Sequence, residues 1–131
     1  MATTRVAIDP LPLRADARGV VVEPVDPDRL PAQRNVHLVL TPPGKVRGNH
    51  YHVRGTEMVM VLGPALVRLR EDGQVRDVPV PDGAAWRFTL PPGVSHAFQG
   101  TGEGMMILVG FNTEVHDRGA PDVVPDELIA T

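Results

Sequence analysis

The stretch Gly44-Lys45-Val46-Arg47-Gly48-Asn49-His50-Tyr51-His52-Val53-Arg54-Gly55-Thr56-Glu57 is answered further along by Pro91-Pro92-Gly93-Val94-Ser95-His96. In a β-strand alternate side chains point to one face, so His50 and His52 can both face inward while Tyr51 faces away. Glu57 follows shortly after them, and His96 stands behind a Pro-x-Gly turn. Imidazoles and a carboxylate brought to one point suit a divalent first-row transition metal and leave coordination positions for water or substrate. The expected ligand set is therefore His50, His52, Glu57 and His96, holding one ion of zinc, iron, nickel or manganese. A metal-free barrel in which the same inward histidines bind substrate or move protons is the competing reading.

Outward from this stretch the chain is punctuated by 14 prolines and 13 glycines, with no long segment of helical periodicity. Asn35 to Thr41 reads as a core strand. Glu57 to Leu62 and Ala65 to Arg70 read as two more, separated by Gly63-Pro64. Glu71-Asp72-Gly73-Gln74 is a hairpin turn from which Val75 to Val80 returns. Pro81-Asp82-Gly83 turns again into Ala85 to Leu90, and Met105 to Phe111 is a final, very apolar strand. Short strands at this spacing, with turn signals between them, predict a β-sandwich or barrel. Trp86 and Phe88, and the pairs Met58/Met60 and Met105/Met106, read as core filling. Residues 1–15 and 117–131 are expected to run over the surface or onto a partner subunit.

A chain of 131 residues is one domain by length, 1–131, with a barrel core at about 16–116. A net charge of −3 and the lack of any basic run argue against nucleic-acid binding. Cysteine is absent, which excludes disulfides and thiolate catalysis. No leader-like segment and no run of membrane-spanning length is visible, so a cytoplasmic protein with no membrane partner is expected. Lys45 is the sole lysine beside twelve arginines, which leaves a single candidate for Schiff-base chemistry.

The paired motifs resemble those of the cupin superfamily. Its first motif, Gly-x5-His-x-His-x3–4-Glu-x6-Gly, is matched by Gly44, His50, His52, Glu57 and Gly63, with the last spacer one residue short. Its second is matched by Pro91, Gly93 and His96, while the opening glycine is displaced and Gly100 replaces the terminal Asn. The resemblance implies an all-β, double-stranded β-helix jelly-roll barrel with the metal inside one end. Asp16-Ala17-Arg18-Gly19, Gln33-Arg34-Asn35 and Arg47-Gly48-Asn49-His50 also resemble the rhamnose-pathway 3,5-epimerases, which act on dTDP-linked 4-keto-6-deoxy sugars. There the histidine after Arg-Gly is a catalytic base and arginines hold the diphosphate. Those enzymes are not metal enzymes, and His52 and Glu57 stand in the region where they carry a catalytic lysine.

A closer resemblance joins both features. It is to the C-terminal metal-binding cupin domain of capsule-biosynthesis nucleotide-sugar epimerase/reductases, whose ending is followed in outline by Asn112-Thr113-Glu114-Val115-His116-Asp117-Arg118-Gly119-Ala120-Pro121-Asp122. The resemblance implies a metal-binding epimerase or isomerase of nucleotide-linked keto-deoxy sugars, in polysaccharide or secondary-metabolite biosynthesis. By the same resemblance Arg18, Gln33, Asn35 and Arg47 would bind the substrate. A ligating imidazole is a poor base, so His50 is read as a ligand and the proton carrier falls to Glu114, His37 or a metal-bound water. His37 and His116, without partners in the sequence, otherwise read as surface or core histidines.

Two other classes stay open. One is an Fe(II)-dependent cupin dioxygenase acting on a small organic substrate; the other is a non-catalytic cupin that binds a sugar or metal. A homodimer is expected, with a strand around Val20 to Val25 free for edge pairing.

Overall fold

A computed structural model describes residues 5–131, in which the short apolar runs and tight turns become twelve strands. They are β1 (Ala7–Pro10), β2 (Arg14–Asp16), β3 (Gly19–Val21), β4 (Asn35–Thr41), β5 (Val46–His52) and β6 (Glu57–Leu62). The second half adds β7 (Ala65–Glu71), β8 (Gln74–Val80), β9 (Ala85–Leu90), β10 (Ser95–Gly100), β11 (Met106–Asn112) and β12 (Val123–Pro125). Among the described residues the only helical element is a 3-10 turn at Leu30–Ala32. Residues 1–4, part of the expected N-terminal arm, lie outside the described residues.

The strands form two five-stranded antiparallel sheets, ordered β1-β9-β6-β11-β4 and β12-β5-β10-β7-β8, plus the ribbon β2-β3. Within them β4 to β11 give the orders β4-β11-β6-β9 and β5-β10-β7-β8, the paired Greek keys of a jelly roll. The hairpin joining β7 to β8 is closed by Asp72 and Gly73, both at positive φ (53° and 75°), as a two-residue type I′ turn requires. Val59, Val61, Phe88, Leu90 and Leu108 of one sheet pack against Val67, Leu69 and Phe98 of the other in a single buried cluster. Phe88 is fully buried and Trp86 packs against this cluster, in line with their reading as core residues.

Some strands sit differently from their sequence reading. β4 is an edge strand, and only its inward side chains meet the barrel; Val36, Leu38 and Leu40 face outward and are exposed. The unbroken apolar run Leu38-Val39-Leu40 does not reveal which face is covered. Met58, Met60 and Met106 are buried, but Met105 is half exposed because β11 starts one residue later. In place of a free strand at Val20 to Val25, only Gly19–Val21 is extended, and it pairs with β2 of the same chain. The segments flanking the expected core close the sheet edges: β1 pairs with β9 and β12 with β5.

Candidate functional site

Three strands from the two sheets converge on the residues the sequence singles out. β5 carries His50 and His52 on its inner face, β10 brings His96 directly opposite His50, and β6 of the facing sheet begins at Glu57. Pairing between β5 and β10 slips here: Ala97 faces Gly48 and His96 faces His50, which leaves Asn49 as a bulged residue. Gly48 has φ of +87°, and a Cβ at that position would lie 2.7 Å from the carbonyl oxygen of His96. The close approach of the two strands therefore requires glycine. Asn49, at φ 60°, adopts the left-handed conformation that asparagine tolerates better than most residues. Its side-chain oxygen accepts from the N–H groups of Leu128 and Ile129, and its amide donates to the Ile129 carbonyl. The bulge thus anchors the C-terminal tail beside the site.

The ring centroids of His50, His52 and His96 lie 4.8 to 5.5 Å apart. Each of the four side chains offers an atom lying within 4.8 Å of the others, and this His/His/Glu/His group could hold a metal ion. His96 is fully buried, and its Nδ1 donates to the Val94 carbonyl at 3.0 Å. A carbonyl only accepts, so the proton sits on Nδ1 and the lone pair on Nε2. That Nε2 is buried without a hydrogen-bond partner, 3.9 Å from Oε1 of Glu57. Nε2 of His52 is also without a hydrogen bond, although it lies 2.6 Å from Oε2 of Glu57. Buried polar atoms left without partners cost about 1–3 kcal/mol each. A carboxylate and ring nitrogens gathered within 4.8 Å of one another fit a metal ion.

Electrostatics favour deprotonated ligands at three of the four positions. Burial would raise the Glu57 carboxyl, but contact with His52 and the nearby His96, His52 and His37 outweigh it and hold the group at about 2. Burial pushes His96 down to about 4, with Glu57 opposing, and it lowers His50 as well. His52 is the exception: burial lowers it, yet Glu57 and Asp122 more than compensate and raise it above its ordinary value. Without metal, the centre is a Glu57 carboxylate against a protonation-prone His52, with two neutral imidazoles beside them.

The chain from residue 14 to residue 124 matches the family model described as the polysaccharide biosynthesis C-terminal domain. It belongs to that family. No curated protein matches the chain in sequence. Among solved structures, the capsular polysaccharide assembling protein CapF from Staphylococcus aureus is similar at a TM-score of 0.68 and 24% identity. That match covers 91% of this chain but 35% of CapF, so the chain spans about a third of that protein's length. QdtA, a sugar 3,4-ketoisomerase from Thermoanaerobacterium thermosaccharolyticum solved with TDP, matches at 0.70 and 18% identity, covering 91% of this chain and 86% of its own. A dTDP sugar isomerase from Desulfovibrio desulfuricans G20 matches at 0.78 and 17% identity, covering 92% and 82% of the two chains. These likenesses establish the shared jelly-roll fold.

In this member of the polysaccharide biosynthesis C-terminal family, the histidine–glutamate cluster opens into a cavity of about 610 Å³. Asn35, Arg47, His37 and Glu114, all singled out in the sequence, line it. Arg47 is exposed and has no carboxylate within ion-pairing distance among the described residues. His37 lies against Gly110, where a Cβ would come within 2.6 Å of its Nε2. Glu114 accepts from Arg54 Nε at 3.2 Å. Arg18 and Gln33 are not brought to the cavity. Arg18, on the exposed turn of the β2-β3 ribbon, pairs with Asp16 at 2.6 Å, and Gln33 donates to the Arg29 carbonyl. Titratable lining residues that the sequence did not single out include His116, read as a surface or core histidine, and Asp117 and Asp122, noted only as parts of a motif. Nothing local signals Asp122, which reaches the site only because the tail folds back over β5. Among the described residues no helix is long and apolar enough to cross a membrane.

Proposed function

We propose that this chain is a metal-dependent cupin that epimerises or isomerises a nucleotide-linked keto-deoxy sugar. The observation that carries this reading is the junction of two chemistries in one cavity. The His50, His52, Glu57 and His96 cluster, buried except for the half-buried His50, forms one wall, while Arg47, without a carboxylate partner among the described residues, stands in the same lining. Family membership and the sugar-nucleotide enzymes among the structural relatives support it.

His50, His52, Glu57 and His96 are the proposed ligands of one divalent transition ion: zinc, iron, nickel or manganese. When bound, that ion supplies Lewis-acid polarisation of a carbonyl or of water. The remaining steps belong to the chain itself. Arg47 holds the diphosphate, for which a guanidinium offers paired donors. Asn35 hydrogen-bonds the sugar or its nucleoside. His37 takes the proton beside the ketone to leave an enolate, and a proton exchanged with solvent is returned to carbon to complete the turnover; none of the His37 nitrogens is engaged in a hydrogen bond among the described residues, which leaves the ring available. Glu114, tied to Arg54, is the second candidate for proton carriage. The apolar side chains of Val39, Val59, Phe98 and Leu108 line the cavity beside the cluster and lower the polarity there, which strengthens electrostatic contacts at that wall. The single domain of 131 residues, a homodimer and a cytoplasmic location remain part of the proposal, and sedimentation velocity tests the dimer.

The decisive experiment is incubation of the metal-loaded protein with dTDP- and UDP-linked 4-keto-6-deoxy sugars in heavy water. Solvent deuterium appearing at a carbon flanking the ketone, read by mass spectrometry and NMR, is the expected result. Its absence across several such sugars overturns the proposal, and oxygen uptake with small organic substrates would favour a dioxygenase instead.

A further inference from the structure

Behind the metal cluster lies a carboxylate that the proposed chemistry does not use. Asp122, whose side chain is 12% exposed, sits just before β12 and faces His52 from the side away from Glu57. Its Oδ1 accepts from the N–H of Arg54 at 2.8 Å and its Oδ2 from the N–H of Gly55 at 2.9 Å. Burial opposes its ionisation, but those two backbone donors, with Arg54 and His52 nearby, hold the carboxyl below its ordinary value. Nδ1 of His52 lies 3.6 Å from Oδ2 and is buried with no hydrogen-bond partner. Gly55 permits this approach: a Cβ there would lie 3.0 Å from Oδ2 of Asp122 and 2.4 Å from Oδ1 of Asn112.

We propose that Asp122 is a positioning residue for the metal centre. Its carboxylate accepts from the Nδ1–H of His52 and so directs Nε2 toward Glu57 and His96. A neutral imidazole has one proton for two nitrogens, and an anion facing Nδ1 decides which of them carries it. The contact is 3.6 Å, and Asp122 is fixed on its side by the N–H groups of Arg54 and Gly55, so closing it to a hydrogen bond falls to the ring. Carboxylates placed behind ligating histidines act in this way in many metal sites, by fixing ring direction and raising ligand basicity. The same carboxylate ties the turn at residues 53–55 to the C-terminal tail, so the tail helps to build the site.

This inference rests on the metal reading of the cluster, and zinc affinity of the full chain, measured by competition with a chromophoric chelator, separates the two. Asp122→Asn keeps the side-chain shape and is expected to weaken zinc binding about 10- to 100-fold. Loss of a mere structural tie at residues 53–55 would weaken binding whether or not His52 is present. In a His52→Ala background the Asp122→Asn change should therefore alter affinity by less than about twofold. Unchanged affinity in Asp122→Asn, or equal losses in both backgrounds, overturns the inference. Long-range proton–nitrogen NMR on the zinc-loaded wild-type chain reads the same ring without any substitution. His52 protonated on Nδ1 is the expected result, and His52 protonated on Nε2 overturns it. If zinc does not bind the wild-type chain, the metal reading and this inference fall together; if it binds and Asp122→Asn binds equally well, only the inference falls.

Discussion

Nε2 of His52 and Oε2 of Glu57 stand 2.6 Å apart although the two residues belong to opposite sheets of the barrel. The contact bridges the two sheets beside the cavity and couples the protonation of its two partners. Glu57 stays ionised, and its charge together with that of Asp122 makes His52 the most readily protonated of the three imidazoles.

Metal binding must therefore displace a proton. Because the His52 value lies above 6.5, the ring holds its proton through the lower part of the neutral range, and a metal competes with it there. Affinity for zinc is expected to fall as pH drops from 8 to 6, by up to about tenfold per unit for one displaced proton. Chelator competition across that range checks the slope. Glu57→Gln removes the anion that holds the proton, so its binding should be weaker at all pH values and less steep in pH.

His96 acts on stability in the opposite sense. Its folded value of about 4 lies below its ordinary 6.5, so the unfolded chain takes up a proton between those pH values and the folded chain does not. Stability is then unaffected above 6.5 and falls as pH drops toward 4. Between pH 7 and pH 5 the metal-free protein should lose about 2 kcal/mol through this group. Urea unfolding in the presence of a chelator measures it. His96→Leu should flatten that part of the pH dependence, and an equal loss in both proteins would contradict the assignment.

The convergence of the cluster was legible because each element has a local signal. Alternation puts His50 and His52 on one face, and the Pro91-Pro92-Gly93 turn delivers His96. Asn35–Thr41, Glu57–Leu62 and Ala85–Leu90 also have the bounds that their apolar runs suggested. What could not be read depends on distant partners. β1 and β12 are too short to show a period and exist because an edge of a sheet lies beside them. Asp122 reaches His52 through the fold-back of a tail that looks like a surface arm in sequence. Arg18 and Gln33 carried motif resemblance but no constraint on where a ribbon and a 3-10 turn would place them.

Gly110 offers a test of His37 that leaves the ligands untouched. An added methyl at position 110 would crowd the far end of the His37 side chain, which can swing aside. Gly110→Ala should therefore cost little stability and no zinc affinity, yet reduce turnover tenfold or more by moving the base. His37→Ala should reduce it by about 10²- to 10⁴-fold, the range for loss of a general base. Metal content and deuterium exchange measured on the same samples check both. Full exchange in His37→Ala would transfer the proton-carrier role to Glu114.

Asn49 is expected to matter for the tail rather than for chemistry. Its side chain makes three hydrogen bonds to the backbone of Leu128 and Ile129, and Ile129 is buried. Asn49→Ala loses these bonds and also places alanine in the left-handed conformation, for a combined cost of about 2–4 kcal/mol. Asn49→Gly keeps the backbone conformation and loses the bonds alone, so its cost should be smaller by about 1 kcal/mol. Urea unfolding gives both values. Hydrogen exchange should show residues 123–129 losing protection in both variants, with β7 and β9 unaffected. Because β12 pairs with His50 to His52, a loosened tail also releases the edge of the strand that carries two of the proposed ligands. Both variants should then bind zinc more weakly than wild type, to a degree that follows the loss of tail protection rather than the loss of global stability.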